Sequence, residues 1–477
     1  MRMDCNDGNP AHIPPASGQP IDERSYAGRV NGGPTTDEDT AASHQRWGIV
    51  GGGVLGMTLA LRLARTGHEV TLFEAGDELG GLAAPWMLGD VMWDRHYHVT
   101  LLSDRRTRDM YQSVGIGADE MRWVETKTGY YGPDSKLRSV SNTLEFLRLP
   151  GLSLVDKVRL GGTIVLGSKI RNGRSMERIT AERWLRRWSG RSAFETFWKP
   201  LLRAKLGDAY PQVSAAFIWS TIQRLYAARR SGLKKEMFGY VPGGYARVCA
   251  GFRDSLAEAG VEVRLGTPVQ SVASDDRSLV VTHSGTQQRF DRVVVTTAAP
   301  LSAKLCPELL PGERARLESV EYTGIVCLSL LLDQPLAPYY LTYITDPDTP
   351  FTAVVEMTSF IDPAELAGHS LVYLPKYASA DDPLFRATED EILQAFLPYL
   401  HQMYPGFSRD NVLAAKVSKV TQVFAITSLN YSDVAPSIAT SVPGLLLAGS
   451  ANLPFSTLNV NDTLSLVDDV LAAADAR

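Results

Sequence analysis

Six residues, Gly51-Gly52-Gly53-Val54-Leu55-Gly56, constrain the fold of this chain more than any other stretch. They fit the spacing G-x-G-x-x-G, and their context gives the spacing meaning. Trp47–Val50 reads as a buried strand, Val54–Arg65 as a helix with apolar positions at 3.6 spacing, and His68–Glu74 as a second strand. Strand, helix, strand within about 30 residues is a βαβ unit with a right-handed crossover. In such a unit Gly51 permits the tight turn, Gly53 lets a pyrophosphate approach the backbone, and Gly56 lets the helix pack close to the sheet. The helix N-terminus offers unpaired N–H groups and partial positive charge to phosphates. Glu74 closes the second strand, where a carboxylate can accept from ribose hydroxyls. The hexapeptide alone is weak; a glycine-rich turn that binds nothing would need the turn, the helix and the acid to coincide by chance.

The rest of the chain narrows the class. Among 477 residues 48 are basic and 53 acidic, for a net charge of −5, whereas a nucleic-acid binder normally carries a basic excess. Cys5, Cys249, Cys306 and Cys327 form no C-x-x-C pair; reduced, mostly buried thiols are expected, and no metal site. The opening MRMDCNDGNPAHIPP lacks the apolar core of a signal peptide, and no long uncharged apolar run follows. The expected location is the cytoplasm, in solution or peripheral to a membrane. Residues 1–45, rich in Pro, Gly, Asp, Ser and Thr, are expected to be a disordered tail. From Leu152 to Leu233 apolar and basic residues interleave in helical patterns. Residues 260–300 turn to strands (VEVRL, PVQSVAS, SLVVTH, FDRVVVTT), and YTGIVCLSLLL and HSLVYLPKY continue them. The helix EDEILQAFLPYLHQMY, the strand GLLLAGS and a closing helix at about 462–474 complete the pattern.

Three blocks carry a family resemblance: GIVGGGVLGMTLALRLARTGHEVTLFEAGDELGGLAAPW, GYVPGGYARVCAGFRDSLAEAGVEVRLGTPVQSV and GLLLAGSANLPFSTLNVNDTLSLVDD. With these the chain, over about residues 46–477, resembles the flavin amine-oxidase superfamily, which includes protoporphyrinogen oxidases, phytoene-type desaturases and UDP-galactopyranose mutases. The resemblance implies an α/β fold in which a Rossmann-like FAD-binding domain of the GR2 type interweaves with a mixed-sheet substrate domain and a helical insertion. The FAD-binding parts are expected at 46–125, 236–300 and 441–477, the insertion at 126–235 and the remaining substrate domain at 301–440. It also implies FAD as cofactor. The stretch from Glu74-Ala75 to Gly80-Gly81-Leu82-Ala83 would pass the FAD phosphates toward the flavin, Val269 would present its backbone to the adenine, and Gly449 would lie beside the ribityl chain. The helix entered through Asn459 and Asn461 would aim its N-terminus at the flavin's pyrimidine edge. The sequence departs from the family pattern at Leu82, where many members have Arg. It departs again at about Val326, where monoamine oxidases carry a lysine, and in the bulky NVNDTLSLVDD.

Candidates for substrate chemistry follow the first block. In Trp93-Asp94-Arg95-His96-Tyr97-His98, His98 is a proton donor or hydrogen-bond partner near the flavin, by resemblance to the mutase branch, or else a structural partner of Asp94 or of a backbone carbonyl; for His96 the structural reading is preferred. Tyr240, in GYVPGG, is expected to face the flavin. Arg183, Arg186, Arg187 and Arg191, and Arg224, Arg229, Arg230, Lys234 and Lys235, admit three readings: a mouth for an anionic substrate, a membrane-docking surface, or a solvated face laced with ion pairs. The helical stretch through Phe194–Leu202 to Lys205-Leu206-Gly207 would wall the substrate cavity. The expectation is an FAD-dependent oxidoreductase moving a hydride from a small or amphipathic substrate to flavin N5, with a small-molecule partner and no nucleic acid. The alternatives are a nucleotide-sugar mutase using reduced FAD, an isoprenoid desaturase and a non-catalytic flavin carrier.

Overall fold

The first glycine block sits at the carboxyl end of the central strand of a five-stranded parallel sheet. The computed structural model describes residues 44–142, 145, 147–229, 237–275, 277–455 and 459–476; residues 1–43 of the expected tail lie outside that set. Strand β1 (Arg46–Val50) leads into helix α1 (Val54–Arg65) and back to β2 (Glu69–Phe73). Helix α1 forms because its apolar residues recur on one face: Leu55, Leu59 and Leu63 are buried, while Arg62 and Arg65 complement the dipole in the last turn. Burial of each of those leucines contributes about 2 kcal/mol. Gly67, at φ +91, ends the helix in a left-handed residue.

Farther on come α2 (Leu154–Lys169), α3 (Ala181–Ser189), α4 (Gly244–Glu258), β3 (Glu262–Arg264), β4 (Arg292–Val295) and β5 (Leu445–Leu447). The parallel sheet runs β3-β2-β1-β4-β5, with Ile49 paired to both Leu72 and Val294. Its strands therefore come from three separated stretches of chain. Because β1 continues to β2 on one side while β4 lies on the other, the strand order reverses between β1 and β4. The crevice outside the carboxyl ends of those strands is where open α/β sheets bind ligands.

A second sheet has seven strands and is mixed, in the order 412–425, 322–332, 370–378, 353–356, 341–344, 128–131, 137–139. Its strand Tyr322–Leu332 shows the period of two that divides the interior. Ile325, Cys327 and Leu331 face the helical insertion, whereas Val326, Leu328, Leu330 and Leu332 face the helix Glu389–Met403. The insertion, with α2, α3, Lys199–Leu206 and Ala215–Arg229, closes the first of these layers. The fold is thus α/β, with a Rossmann-like sheet interwoven with a mixed sheet and a helical insertion. Two local expectations needed adjustment. A third antiparallel strand, Thr286–Phe290, follows SLVVTH, and the closing helix is two, Val460–Thr463 and Ser465–Asp475.

Candidate active site

At the carboxyl end of β1 the backbone makes a turn that only glycine accommodates. Gly51 has φ +112, and its N–H donates to Phe73 O at 2.8 Å. A Cβ on Gly56 would stand 1.9 Å from Gly51 O, so helix and turn touch through the bare Cα. Gly53 differs: a Cβ there would meet nothing nearer than the Gly81 Cα, at 4.0 Å. The Gly80-Gly81 pair is held opposite by a bridge between Gly53 and Gly80 and by Gly80 N–H donating to Gly52 O at 2.9 Å. The two glycine segments touch, and together they make a cradle that is open on the side of Gly53. Helix α1 begins there with no side-chain cap and no acid in its first turn, leaving backbone N–H groups of Val54, Leu55 and Gly56 for an anion.

One lip of the crevice carries Glu74. Its Oε2 accepts from Gly52 N–H at 2.6 Å and its Oε1 from Gly76 N–H at 2.8 Å, which leaves two of its lone-pair sites free. Ala75, beside it, is exposed. Thr267 N–H donates to the backbone carbonyl of Glu74, so the strand that starts at Val269 begins two residues after a bond to this residue. On the other lip Thr296 Oγ1 donates to Val50 O at 3.0 Å, and Gly449 is extended, where a Cβ would stand 3.1 Å from Thr297 O. Asn459 and Asn461 are occupied within the protein. Asn459 caps its own short helix through Asp462 N–H, and Asn461 Oδ1 accepts from Arg106 N–H at 3.0 Å.

Past the cradle, the turn Gly81–Ala83 presents Leu82, partly exposed, above buried Ala83. The Leu82 carbonyl meets His96 Nδ1 at 3.0 Å. A carbonyl only accepts, so Nδ1 carries the proton and Nε2 is left as a lone-pair acceptor. Burial lowers the His96 pKa to about 4 and keeps the ring neutral. His98 lies differently: its Nδ1 approaches Asp94 Oδ2 only to 3.5 Å, and its ring lies 4.7 Å from that of Tyr245. Asp94 is buried and accepts from Tyr245 N–H at 2.7 Å. Gly244, at φ +60, permits this, since a Cβ there would be 2.7 Å from Asp94 Oδ1. The GYVPGG and WDRHYH motifs therefore meet in space.

Tyr240 forms the wall between two cavities, a small one with His98 and an open one of about 680 Å³ with Arg122. Its hydroxyl donates to Glu365 Oε1 at 3.0 Å, and burial pushes its pKa up to about 12. The segment Trp93–His98 concentrates unmet hydrogen-bonding capacity. Trp93 Nε1, Arg95 Nε, His96 Nε2 and His98 Nδ1 are all buried without a hydrogen-bond partner. Native interiors rarely tolerate such atoms, and four in six residues is a concentration that a bound ligand or water would satisfy.

The basic clusters divide. Arg186 pairs with Glu182 and Glu195, and Arg224 makes two hydrogen bonds to Asp104, so both are structural. Arg183, Arg187 and Arg191 are exposed; Arg230, Lys234, Lys235 and the Arg229 side chain lie outside the described residues. Lys205 was legible only as part of a motif. It lies 3.7 Å from the Tyr377 ring centroid, Tyr377 and Tyr97 hydroxyls are 2.9 Å apart, and desolvation lowers the lysine pKa. Among the described residues no carboxylate pairs with it. Residues 97 and 377 are too far apart in sequence for any local pattern to have joined them. Val326 proves to face away from this region, into the core beneath Glu389–Met403, and no lysine occurs anywhere on its strand.

Residues 56–454 match the family described as flavin containing amine oxidoreductase. The chain belongs to this family. As a flavin-containing amine oxidoreductase it is an enzyme, and its cofactor is FAD; the open cradle, the uncapped helix and the free lone pairs of Glu74 fit that cofactor. A curated relative, 15-cis-phytoene desaturase of Glycine max, is 22% identical over 84% of this chain and 74% of its own length. Two solved structures show the same fold. A protein named as a protoporphyrinogen oxidase from Exiguobacterium sp. 255-15 has a TM-score of 0.73 at 17% identity, covering 91% of this chain and 100% of that one. A reduced UDP-galactopyranose mutase has a TM-score of 0.69 at 15% identity, covering 90% and 96%.

Proposed function

We propose that this flavoenzyme removes a hydride from a carbon of an amphipathic, mostly apolar substrate and delivers it to flavin N5. The observation that carries this reading is the row of partly buried apolar side chains, Leu82, Tyr97 and Val99, beside His96, whose Nδ1 meets the Leu82 carbonyl. FAD, when bound, supplies the two-electron acceptor. The chain supplies binding and orientation. The free lone pairs of Glu74 would take the ribose hydroxyls, the Val269 backbone the adenine, and the N–H groups at Gly53–Gly56 the pyrophosphate, with Gly449 along the opposite lip.

The substrate would lie against partly buried Leu82, Tyr97, Val99 and Phe455, which pack on the core formed by Tyr373, Tyr377 and Tyr340. Apolar walls exclude water from the reacting carbon. His96 Nε2, neutral and unpartnered, can accept a proton or hydrogen bond there, which reverses the donor role the sequence suggested for a histidine of this stretch. The desaturase relative and the lack of a lysine on Tyr322–Leu332 support C–H over amine oxidation. Anaerobic titration tests this: a polyisoprenoid presented in detergent should bleach the flavin band near about 450 nm, and primary amines should not. Bleaching by amines alone would overturn the reading.

One observation favours a second reading. The unpaired Lys205 ammonium beside the Tyr97–Tyr377 hydroxyl pair suits a phosphate, as a nucleotide-sugar mutase would need. Dithionite-reduced protein that isomerises a nucleotide sugar without consuming electrons would establish it.

A further inference from the structure

Helix α2 buries four polar side chains and turns a row of aliphatic ones to the surface. Leu160 anchors it in the core, but its other buried positions are Asp156, Lys157, Thr163, Gly167 and Ser168, while Leu154, Val155 and Val158 are 69%, 65% and 66% exposed and Val165 is 46% exposed. A surface helix normally shows the reverse arrangement. Hydrogen bonds fix this orientation. Lys157 Nζ donates to Leu147 O and Leu149 O, both at 2.7 Å. Asp156 closes a capping box with Ser153 and accepts from Ser192 Oγ at 3.0 Å. Thr163 Oγ1 meets Ser189 Oγ at 2.9 Å, which also accepts from Trp198 Nε1. Rotating α2 to bury its valines would strand all of these polar groups at a cost of about 1–3 kcal/mol each. The apolar face is therefore committed outward.

Its surroundings carry one sign of charge. Residues 147–192 contain eleven Lys or Arg and three acids. Asp156 and Glu177 are buried and Glu182 is tied to Arg186, so the free exposed charges of this stretch are basic. Arg148, Arg159 and Lys169 flank the apolar stripe on or beside α2 itself. The C-terminal end of α3 abuts α2, with Arg159 Nη1 lying 3.0 Å from where a Gly190 Cβ would be. There Trp188 is 44% exposed and the Arg187 guanidinium lies 5.8 Å from its ring centroid. An aliphatic stripe, an exposed tryptophan and a surrounding cationic belt have the chemistry of a helix lying in the headgroup region of an anionic bilayer. Among the described residues no helix is long and apolar enough to cross a membrane.

We propose that α2 and the end of α3 dock this enzyme on an anionic lipid surface, with Leu154, Val155, Val158 and Val165 inserted among the acyl chains and Arg148, Arg159, Lys169 and Arg187 on the headgroups. The proposal goes beyond the hydride-transfer reading and does not depend on it. A protein face of a second copy would be apolar or acid-complementary, whereas the belt here is uniformly basic, which favours lipid.

Co-sedimentation of the full-length FAD-loaded protein with vesicles tests it. Wild type should bind phosphatidylcholine vesicles containing 30% phosphatidylglycerol, a chosen composition of roughly physiological charge, and bind pure phosphatidylcholine at least about tenfold more weakly. The double variant Val155→Asp/Val158→Asp should lose binding by at least about tenfold at unchanged flavin content and melting temperature, because both side chains already face water. Arg159→Glu/Lys169→Glu should weaken binding only to the anionic vesicles. Absence of binding to the anionic vesicles, or binding that survives both variants, overturns the proposal. So does a concentration-dependent dimer in sedimentation equilibrium that Val155→Asp/Val158→Asp dissociates, since a second copy would then cover the face. A failed isoprenoid titration alongside normal vesicle binding would refute the hydride-transfer reading alone.

Discussion

Gly53 and Gly81 lie against each other, so that a Cβ on Gly81 would stand 3.1 Å from the Gly53 Cα, whereas a Cβ on Gly53 would meet nothing nearer than the Gly81 Cα, at 4.0 Å. The protein itself then leaves room for a methyl group at position 53. Gly53→Ala, at an ordinary φ of −72, should leave the apoprotein's melting temperature within about 2 °C of wild type. It should weaken FAD binding by about tenfold or more, since the methyl group occupies the pyrophosphate's approach. Flavin titration of the apoprotein measures this, and wild-type affinity would mean that the phosphates lie elsewhere. Gly56→Ala is the control: its Cβ would clash with Gly51 O whether or not FAD is present.

Glu74 has a structural duty as well as the one expected of it. Because its two oxygens accept from Gly52 N–H and Gly76 N–H, Glu74→Gln turns an amide donor toward one of those donors. The variant should lose about 1–3 kcal/mol of stability in urea denaturation of the apoprotein, in addition to retaining less flavin. Lower flavin content at wild-type apoprotein stability would show that the two turn hydrogen bonds contribute nothing net.

What the sequence revealed and what it hid follow from the range of the interactions. The βαβ unit was legible because turn, helix and acid lie within about 30 residues and each has its own steric or electrostatic signature. The period of two in Tyr322–Leu332 was equally local, but which of its faces looked toward the site was not. Val326 could be taken for a site position until the sheet placed Ile325 and Cys327 on that side instead. The histidines show the same limit. Their spacing identified the stretch, but only the fold shows that His96 reaches Leu82 while His98 settles beside Asp94 and Tyr245. The Lys205–Tyr377–Tyr97 group joins three distant segments through side chains alone, and no periodic signal marks it.

Lys205 holds a desolvated ammonium with no carboxylate beside it among the described residues, an arrangement that costs stability and is kept where a function uses the charge. Lys205→Met should leave the melting temperature unchanged or raise it. If the ammonium binds a polar substrate group equally in ground and transition states, KM rises while kcat holds. A fall in melting temperature with unchanged KM would assign the lysine to packing.

His96 should make the protein's acid sensitivity measurable at a single residue. Its folded-state pKa is about 4, below the ordinary value of about 6.5. Between those values the unfolded chain binds the proton and the folded chain does not. The stabilisation from the neutral ring is therefore fully present above about pH 6.5 and is lost as pH falls toward 4. A shift of this size corresponds to about 3 kcal/mol. His96→Gln keeps a donor for the Leu82 carbonyl and removes the titration, so its stability should vary less than wild type's between pH 7 and about pH 4. Urea denaturation across that range separates the two curves, and parallel curves would place the acid-labile group elsewhere. The same variant bears on chemistry. Its amide side chain can hold Leu82 but offers no imidazole lone pair, so an Nε2 that takes part in proton handling predicts normal flavin content with slowed anaerobic reduction. An Nε2 that only packs predicts a changed acid limb and an unchanged reduction rate.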